Sequence, residues 1–163
     1  MRNSIIMVVA LATVLLASCS KTDKELLVGK WGIQHVKSDG QIMTSVDKKD
    51  HKKIVEKIWK EQGPMLSQMG ISKDVIEKNV AEESKKLAKV TFSFGEDGNV
   101  TIAANDGKIK DEKAKYTIDE KKKEISIEQK AMPGAKKQVY TYTIDDEQLI
   151  MKQKKDELTF MRK

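Results

Sequence analysis

Val90-Thr91-Phe92-Ser93-Phe94-Gly95-Glu96-Asp97-Gly98-Asn99-Val100-Thr101-Ile102-Ala103 is the stretch whose reading decides the fold. Val90, Phe92 and Phe94 alternate with polar residues, the period of a strand with one face in a core, and Glu96-Asp97-Gly98 turns the chain into a second such run. The same unit repeats downstream. Asn105-Asp106-Gly107 turns into residues 114–118, with Tyr116 and Ile118 as inward candidates. After the charged connection 119–123, Ile125 and Ile127 alternate with Ser126 and Glu128. Met132-Pro133-Gly134 turns again into residues 138–144, where Tyr140, Tyr142 and Ile144 share one side. Leu149-Ile150-Met151 and residues 158–161 complete a meander of seven short strands.

Working back from the meander, residues 26–37 read as a first strand, with Leu27, Gly29, Trp31, Ile33 and His35 on one side if the period is two. Eight short antiparallel strands either close into an up-and-down barrel or stack as a sandwich, and closure removes the exposed edges. Residues 38–47 read as a loop around the turn signal Asp39-Gly40. The period then changes. From about 48 to 62, Ile54, Val55, Ile58 and Trp59 fall on one helical face, with Asp47 or Asp50 available at the amino end. Gly63-Pro64 is expected to interrupt that helix, and Met65, Leu66 and Met69 to continue the apolar face through a short turn of helix or a loop. A second helix follows Gly70, with Ser72 as N-cap, Ile71 and Ile76 placed for a hydrophobic staple, and Ile76, Val80 and Leu87 on one face. Neither helix can bury its stripe alone.

The amino-terminal region sets the address. Arg2 precedes a 13-residue apolar run at positions 5–17, which suits a secretory signal and is too short to span a bilayer as a helix of ~20 residues. The chain has one cysteine, Cys19, so no intramolecular disulfide forms. Loss of Arg2 with the leader lowers the formal net charge from +6 to +5, spread along the chain rather than gathered with aromatics, which disfavours a nucleic-acid partner. His35 and His51 are the two histidines, and no metal-binding spacing joins them. Met65 and Met69 suit a soft metal by spacing but read as core filler. No metal or cofactor site is assigned. No phosphate loop, nucleophile elbow or carboxylate pair in an apolar setting is visible, so no catalytic residue is assigned and a non-enzymatic role is expected.

Leu16-Ala17-Ser18-Cys19 resembles the lipobox of bacterial lipoproteins. The resemblance implies cleavage before Cys19, acylation there with palmitate-like chains, and, with Ser20 rather than Asp after the cysteine, an outer-membrane address on either face. The domains are then a signal peptide (1–18), a lipidated tether (19–25) and a folded domain (26–163) with a helical insertion (48–89). Gly29-Lys30-Trp31 at the start of a meander, with Arg162 near the carboxyl end, resembles the small lipocalin-like lipoproteins of Gram-negative bacteria. What this implies is a mainly β, up-and-down antiparallel barrel of about eight strands, Trp31 plugging its closed end under Arg162, and a two-helix insertion between the first two predicted strands. The helical pair is similar to that of fatty-acid-binding proteins, where it lids the barrel mouth.

Two functions fit, both for a monomer. In one, an apolar pocket takes a small hydrophobic ligand, lined by Trp31, Phe92, Phe94, Tyr116, Tyr140 and Tyr142, with Ile58, Trp59, Met65 and Met69 at the lid. In the other, side chains fill the barrel, and its rim or helical hairpin binds another envelope protein, with Trp59 beside Met65 as anchor.

Overall fold

A computed structural model describes residues 21–104, 111–129 and 137–163. The leader, Cys19, Ser20, and the predicted turns at Asn105-Asp106-Gly107 and Met132-Pro133-Gly134 lie outside the described residues. The elements are α1 (Asp23–Leu27), β1 (Gly29–Ser38), β2 (Gln41–Ser45), α2 (Lys48–Gln68), α3 (Lys73–Lys89), β3 (Thr91–Phe94), β4 (Asn99–Ala103), β5 (Glu112–Asp119), β6 (Glu124–Gln129), β7 (Gln138–Ile144), β8 (Gln148–Gln153) and β9 (Asp156–Arg162). From β3 to β9 each strand pairs antiparallel with the next, and β1 pairs with both β3 and β9. The sheet therefore closes into an eight-stranded barrel, with β2 added to the outer half of β1.

β1 is shared between two neighbours on one edge. Gly29 to Gly32 pair with β3, placing Trp31 opposite Phe92, and His35 to Ser38 pair with β2. The expected loop at 38–47 is thus a hairpin. Asp39 (φ 50) and Gly40 (φ 75) form a two-residue turn with both central residues at positive φ, whose twist matches that of paired strands. On the other edge, Ile33 opposes Phe160 and His35 opposes Thr159, so Gln34 is an extra, bulged residue. The period-two row from Trp31 ends at Ile33, and His35 moves to the outer face.

The inward side chains form one core around Trp31, Phe94, Val100, Tyr116, Ile125, Leu149, Met151 and Phe160. Trp31 is 0% exposed, and its Nε1 donates to the Leu27 carbonyl at 2.8 Å. Arg162 lies over the indole, 4.3 Å from the ring centroid. From there the guanidinium donates to the carbonyls of Val28 (3.2 Å) and Asp146 (2.8 Å) and to that of Leu26. Gly29 (φ +133) lies beneath it, and a Cβ there would stand 2.7 Å from Arg162 Nη1.

Residues 23–27, expected as tether and strand, are helical. Thr22 and Glu25 form a capping box: the Thr22 hydroxyl accepts from Glu25 N at 3.2 Å, and the Glu25 carboxylate accepts from Thr22 N at 2.7 Å. This helix drives Leu27 into the core. Asp23 accepts from Tyr142 Oη at 2.6 Å and pairs with Lys123. Burial acts to raise the Asp23 pKa, but the hydrogen bonds from Lys123 and Tyr142 outweigh it and hold the carboxyl below its ordinary range.

The helical pair does not lid the barrel mouth. It lies along the outer face of β1 and β2, with α2 packed on β2 and α3 on both strands. Phe160 and Leu158 face the core, so Thr159 between them points outward, yet it is only 2% exposed. His35 and Ser45 occupy the same outer row. This row is polar and needs covering by groups that can bond to it. Ser45 Oγ donates to Asp50 Oδ2 at 2.8 Å and accepts from Asp47 N at 3.1 Å, and His51 Nε2 lies 3.0 Å from the Ser45 carbonyl.

Gly63-Pro64 does not interrupt α2, which runs to Gln68. An interior proline costs ~3 kcal/mol through a lost hydrogen bond and a clash one turn back. Against that cost, the turn beyond it is closed by a Schellman motif. Gly70 (φ +74) takes the left-handed position, Gly70 N donates to Ser67 O at 3.0 Å, and Ile71 N to Leu66 O at 2.9 Å. Asp47 caps α2 by accepting from Lys49 N at 2.9 Å. Ser72 stands at the α3 N-cap without a side-chain cap bond.

Arg162→Ala removes three charge-assisted bonds to carbonyls and the cover of the indole. Equilibrium urea unfolding should show a loss of about 2 kcal/mol. In a Trp59→Phe background, acrylamide should quench Trp31 fluorescence more readily. Unchanged stability and quenching would show that Arg162 contributes nothing to closing this end.

Candidate functional site

The inward aromatic candidates are occupied with one another. Phe94 meets Tyr116 edge-on at 5.1 Å, and Phe92 meets Phe160 at 5.0 Å. The Tyr116 hydroxyl donates to the Gly95 carbonyl at 2.7 Å, that of Tyr142 to Asp23, and that of Tyr140 to the Gln138 side chain. Trp31, Phe94, Tyr116 and Tyr142 are buried members of the core, with Phe92 and Tyr140 packed partly buried against it. Their apolar surface is spent on each other and their hydroxyls on protein acceptors.

An apolar concavity lies outside the barrel, between α2, α3 and β2. It is a groove of about 570 Å³, within the range of ~300–1,000 Å³ typical of small-molecule pockets. Its walls follow from helical spacing. Ile54, Ile58, Gln62 and Leu66 recur every fourth residue along α2, and Ile76, Val80, Glu83 and Leu87 recur every third or fourth along α3. Met43 and Thr44 of β2 complete the lining. Met43 is the extra residue in a bulge between the Val36–Thr44 and Lys37–Ile42 pairs. The Schellman closure folds Ile71 back toward Leu66, and both line the groove.

Of the four candidates at the helices, only Ile58 lines this groove. Trp59 lies across Gly63, where a Cβ would meet its Cδ2 at 3.2 Å, so this glycine makes room for the indole. Met65 and Met69 are 55% and 66% exposed. Leu66, Val80 and Leu87 were legible as apolar helix positions. Met43 and Thr44 were not, because residues 41–45 read as loop.

The groove is almost uncharged. Glu83 and Lys86 are its two charged lining residues, and they pair with each other at 2.6 Å. On the outer row of β1, opposite Ser45, His35 Nε2 is buried with no hydrogen-bond partner among the described residues. Burial, then the positive charge of Lys37, lowers the His35 pKa, while Glu157 and Asp50 act in the opposite sense. Among the described residues no group of three or more His, Cys, Asp or Glu is placed to hold a metal ion. Nor is any helix there long and apolar enough to cross a membrane.

No protein-family model matches the chain, and no curated protein matches it in sequence. Solved structures do match in fold. A lipocalin-like protein from Bacteroides uniformis is 14% identical with a TM-score of 0.50, the match covering 85% of this chain and 99% of that one. A DUF4847 family protein from Bacteroides vulgatus is 11% identical with a TM-score of 0.55, covering 86% of this chain and 96% of that one. At these identities the likeness is one of fold: a closed antiparallel barrel with a helical insertion.

Because burial lowers the His35 pKa, the stability of the fold should depend on pH. The folded pKa of His35 lies below the ordinary 6.5, so below that pH the unfolded chain takes up a proton that the folded chain refuses, and stability falls as the medium is acidified. Above pH 6.5 the contribution is flat. Chemical unfolding followed from about pH 8 to 5 should therefore decline less steeply for His35→Gln than for the wild type. Parallel curves would show that His35 is not held neutral.

Proposed function

We propose that this domain is a non-enzymatic carrier or sensor of a small hydrophobic molecule, anchored to the outer membrane through acylated Cys19, and that its ligand lies in the groove between α2, α3 and β2. One observation carries the reading. The inward aromatics of the barrel pack on each other, while among the described residues the groove is lined by apolar side chains from three elements, α2, α3 and β2. The lipocalin-like fold of the neighbours supports small-ligand binding as a class, and the Leu16-Ala17-Ser18-Cys19 pattern supports the anchor. Two acyl chains on Cys19, each buried CH₂ adding roughly 0.8 kcal/mol, would hold the protein firmly. A partner protein is the second reading. It is favoured by Met65, Met69 and Val75, which are exposed toward the α2–α3 connection.

Native mass spectrometry of the mature chain carrying Cys19→Ser, purified without detergent, tests this directly. A reproducible added mass that is lost on organic extraction is expected. Val80→Trp, which fills the groove from a half-buried position, should cut uptake of a fluorescent lipid about tenfold or more. Tyr140→Phe, a change inside the barrel, should leave uptake unaltered. Loss of uptake in Tyr140→Phe but not in Val80→Trp would move the ligand into the barrel. A bare mass with no uptake, together with a crosslinked partner lost on Met65→Glu, would favour the second reading.

A further inference from the structure

Resting on that reading, we infer that the groove selects an amphiphile with an uncharged, hydrogen-bonding head, such as a long-chain alcohol or monoacylglycerol, over the corresponding fatty-acid anion. A carboxylate drawn to the edge of an apolar groove by its alkyl chain sheds part of its hydration, and needs a cation that is free to receive it. Among the described residues, the one cation lining this groove is Lys86, and it is bonded to Glu83 one turn earlier on α3. The pair stands at the solvent-exposed edge of the groove, with 70% and 62% of the Lys86 and Glu83 side chains accessible, so it presents an incoming carboxylate with a screened ion pair rather than a lone cation, and the attraction of one charge is offset by the repulsion of the other.

An uncharged head finds better partners. Gln62 on α2 and Asn79 on α3 line the same groove, and among the described residues neither amide hydrogen-bonds to protein. Each offers both a donor and an acceptor, the combination that a hydroxyl or ester requires. One feature of the molecule acts the other way. Residues 48–89 carry eleven lysines against seven carboxylates, a surplus that attracts anions at long range. Apart from Lys86 none of those lysines lines the groove, and at ~0.15 M salt their field is screened within about 8 Å.

The test is competition against a neutral solvatochromic dye in the Cys19→Ser mature chain, at about pH 8 and ~0.15 M salt. The competitors are monolauroylglycerol and laurate, which share one alkyl chain and are both kept below their aggregation limits. Monolauroylglycerol should displace the dye at about one-tenth the concentration of laurate. Glu83→Gln frees Lys86, and should tighten laurate about tenfold while changing monolauroylglycerol by less than about twofold. Laurate equal to or tighter than monolauroylglycerol on the wild type, or unmoved by Glu83→Gln, overturns the selectivity while leaving the groove as a lipid site. Failure of both lipids and the dye to bind overturns the site itself, and the selectivity with it.

Discussion

The Trp31 indole beneath the Arg162 guanidinium is the contact on which the rest of the structure depends. Trp31 sits in β1, the strand that pairs with both β3 and β9, and Arg162 stands directly opposite it in β9. The cation therefore acts at the seam where the sheet closes. Its bonds to the carbonyls of Leu26, Val28 and Asp146 draw α1 and the β7–β8 turn onto the same end. Planarity matters here. A guanidinium stacks on a ring while its N–H groups point outward in the plane, which a lysine ammonium cannot do. The cost is local: the backbone beneath it must take the left-handed conformation without a Cβ, and the residue there is Gly29.

With that end closed and its core filled, the opposite half of β1 decides where the helical insertion is seated. The bulge at Gln34 rotates His35 onto the outer face. Together with Ser45 and Thr159 it makes a buried polar row that the barrel cannot cover by itself. At the Ser45 end of the row, Asp47, Asp50 and His51 at the start of α2 supply its hydrogen-bond partners. Seating the hairpin there leaves α2 and α3 facing each other over β2, with their shared apolar stripe only partly satisfied. The groove is the consequence. A small barrel has room for its own aromatics and little else, so the open apolar surface lies on the element attached outside it.

Much of this was legible in the sequence, and particular residues show where legibility ended. The alternation around Phe92 and Phe94, the Tyr116 and Tyr142 rows and the apolar stripes at Ile58 and Val80 are local patterns, and each occupies the face that its period assigns. Two signals were present and carried more than the reading drew from them. Thr22-x-x-Glu25 before Leu26 and Leu27 is a capping box, and Asp39-Gly40 between short runs is a hairpin turn rather than a loop. Gly63-Pro64 predicts a break because propensity is local, whereas the helix beyond it is closed by Gly70 and Ile71 further along the chain.

By itself the sequence determined the strand and helix periods, the turn chemistry, the Gly29-Lys30-Trp31 start and the lipobox-like run ending at Cys19. These rest on neighbours within a few residues, whose sterics and hydrogen bonding do not depend on the rest of the chain. Only the tertiary structure decided that the bulge falls at Gln34, that the helices lie outside the barrel, and that Glu83 and Lys86 neutralise each other on the wall of an apolar groove. Each of those depends on how segments far apart in sequence divide a limited interior among their side chains. Periodicity assigns a residue to a face, but what that face meets is settled by closure of the barrel.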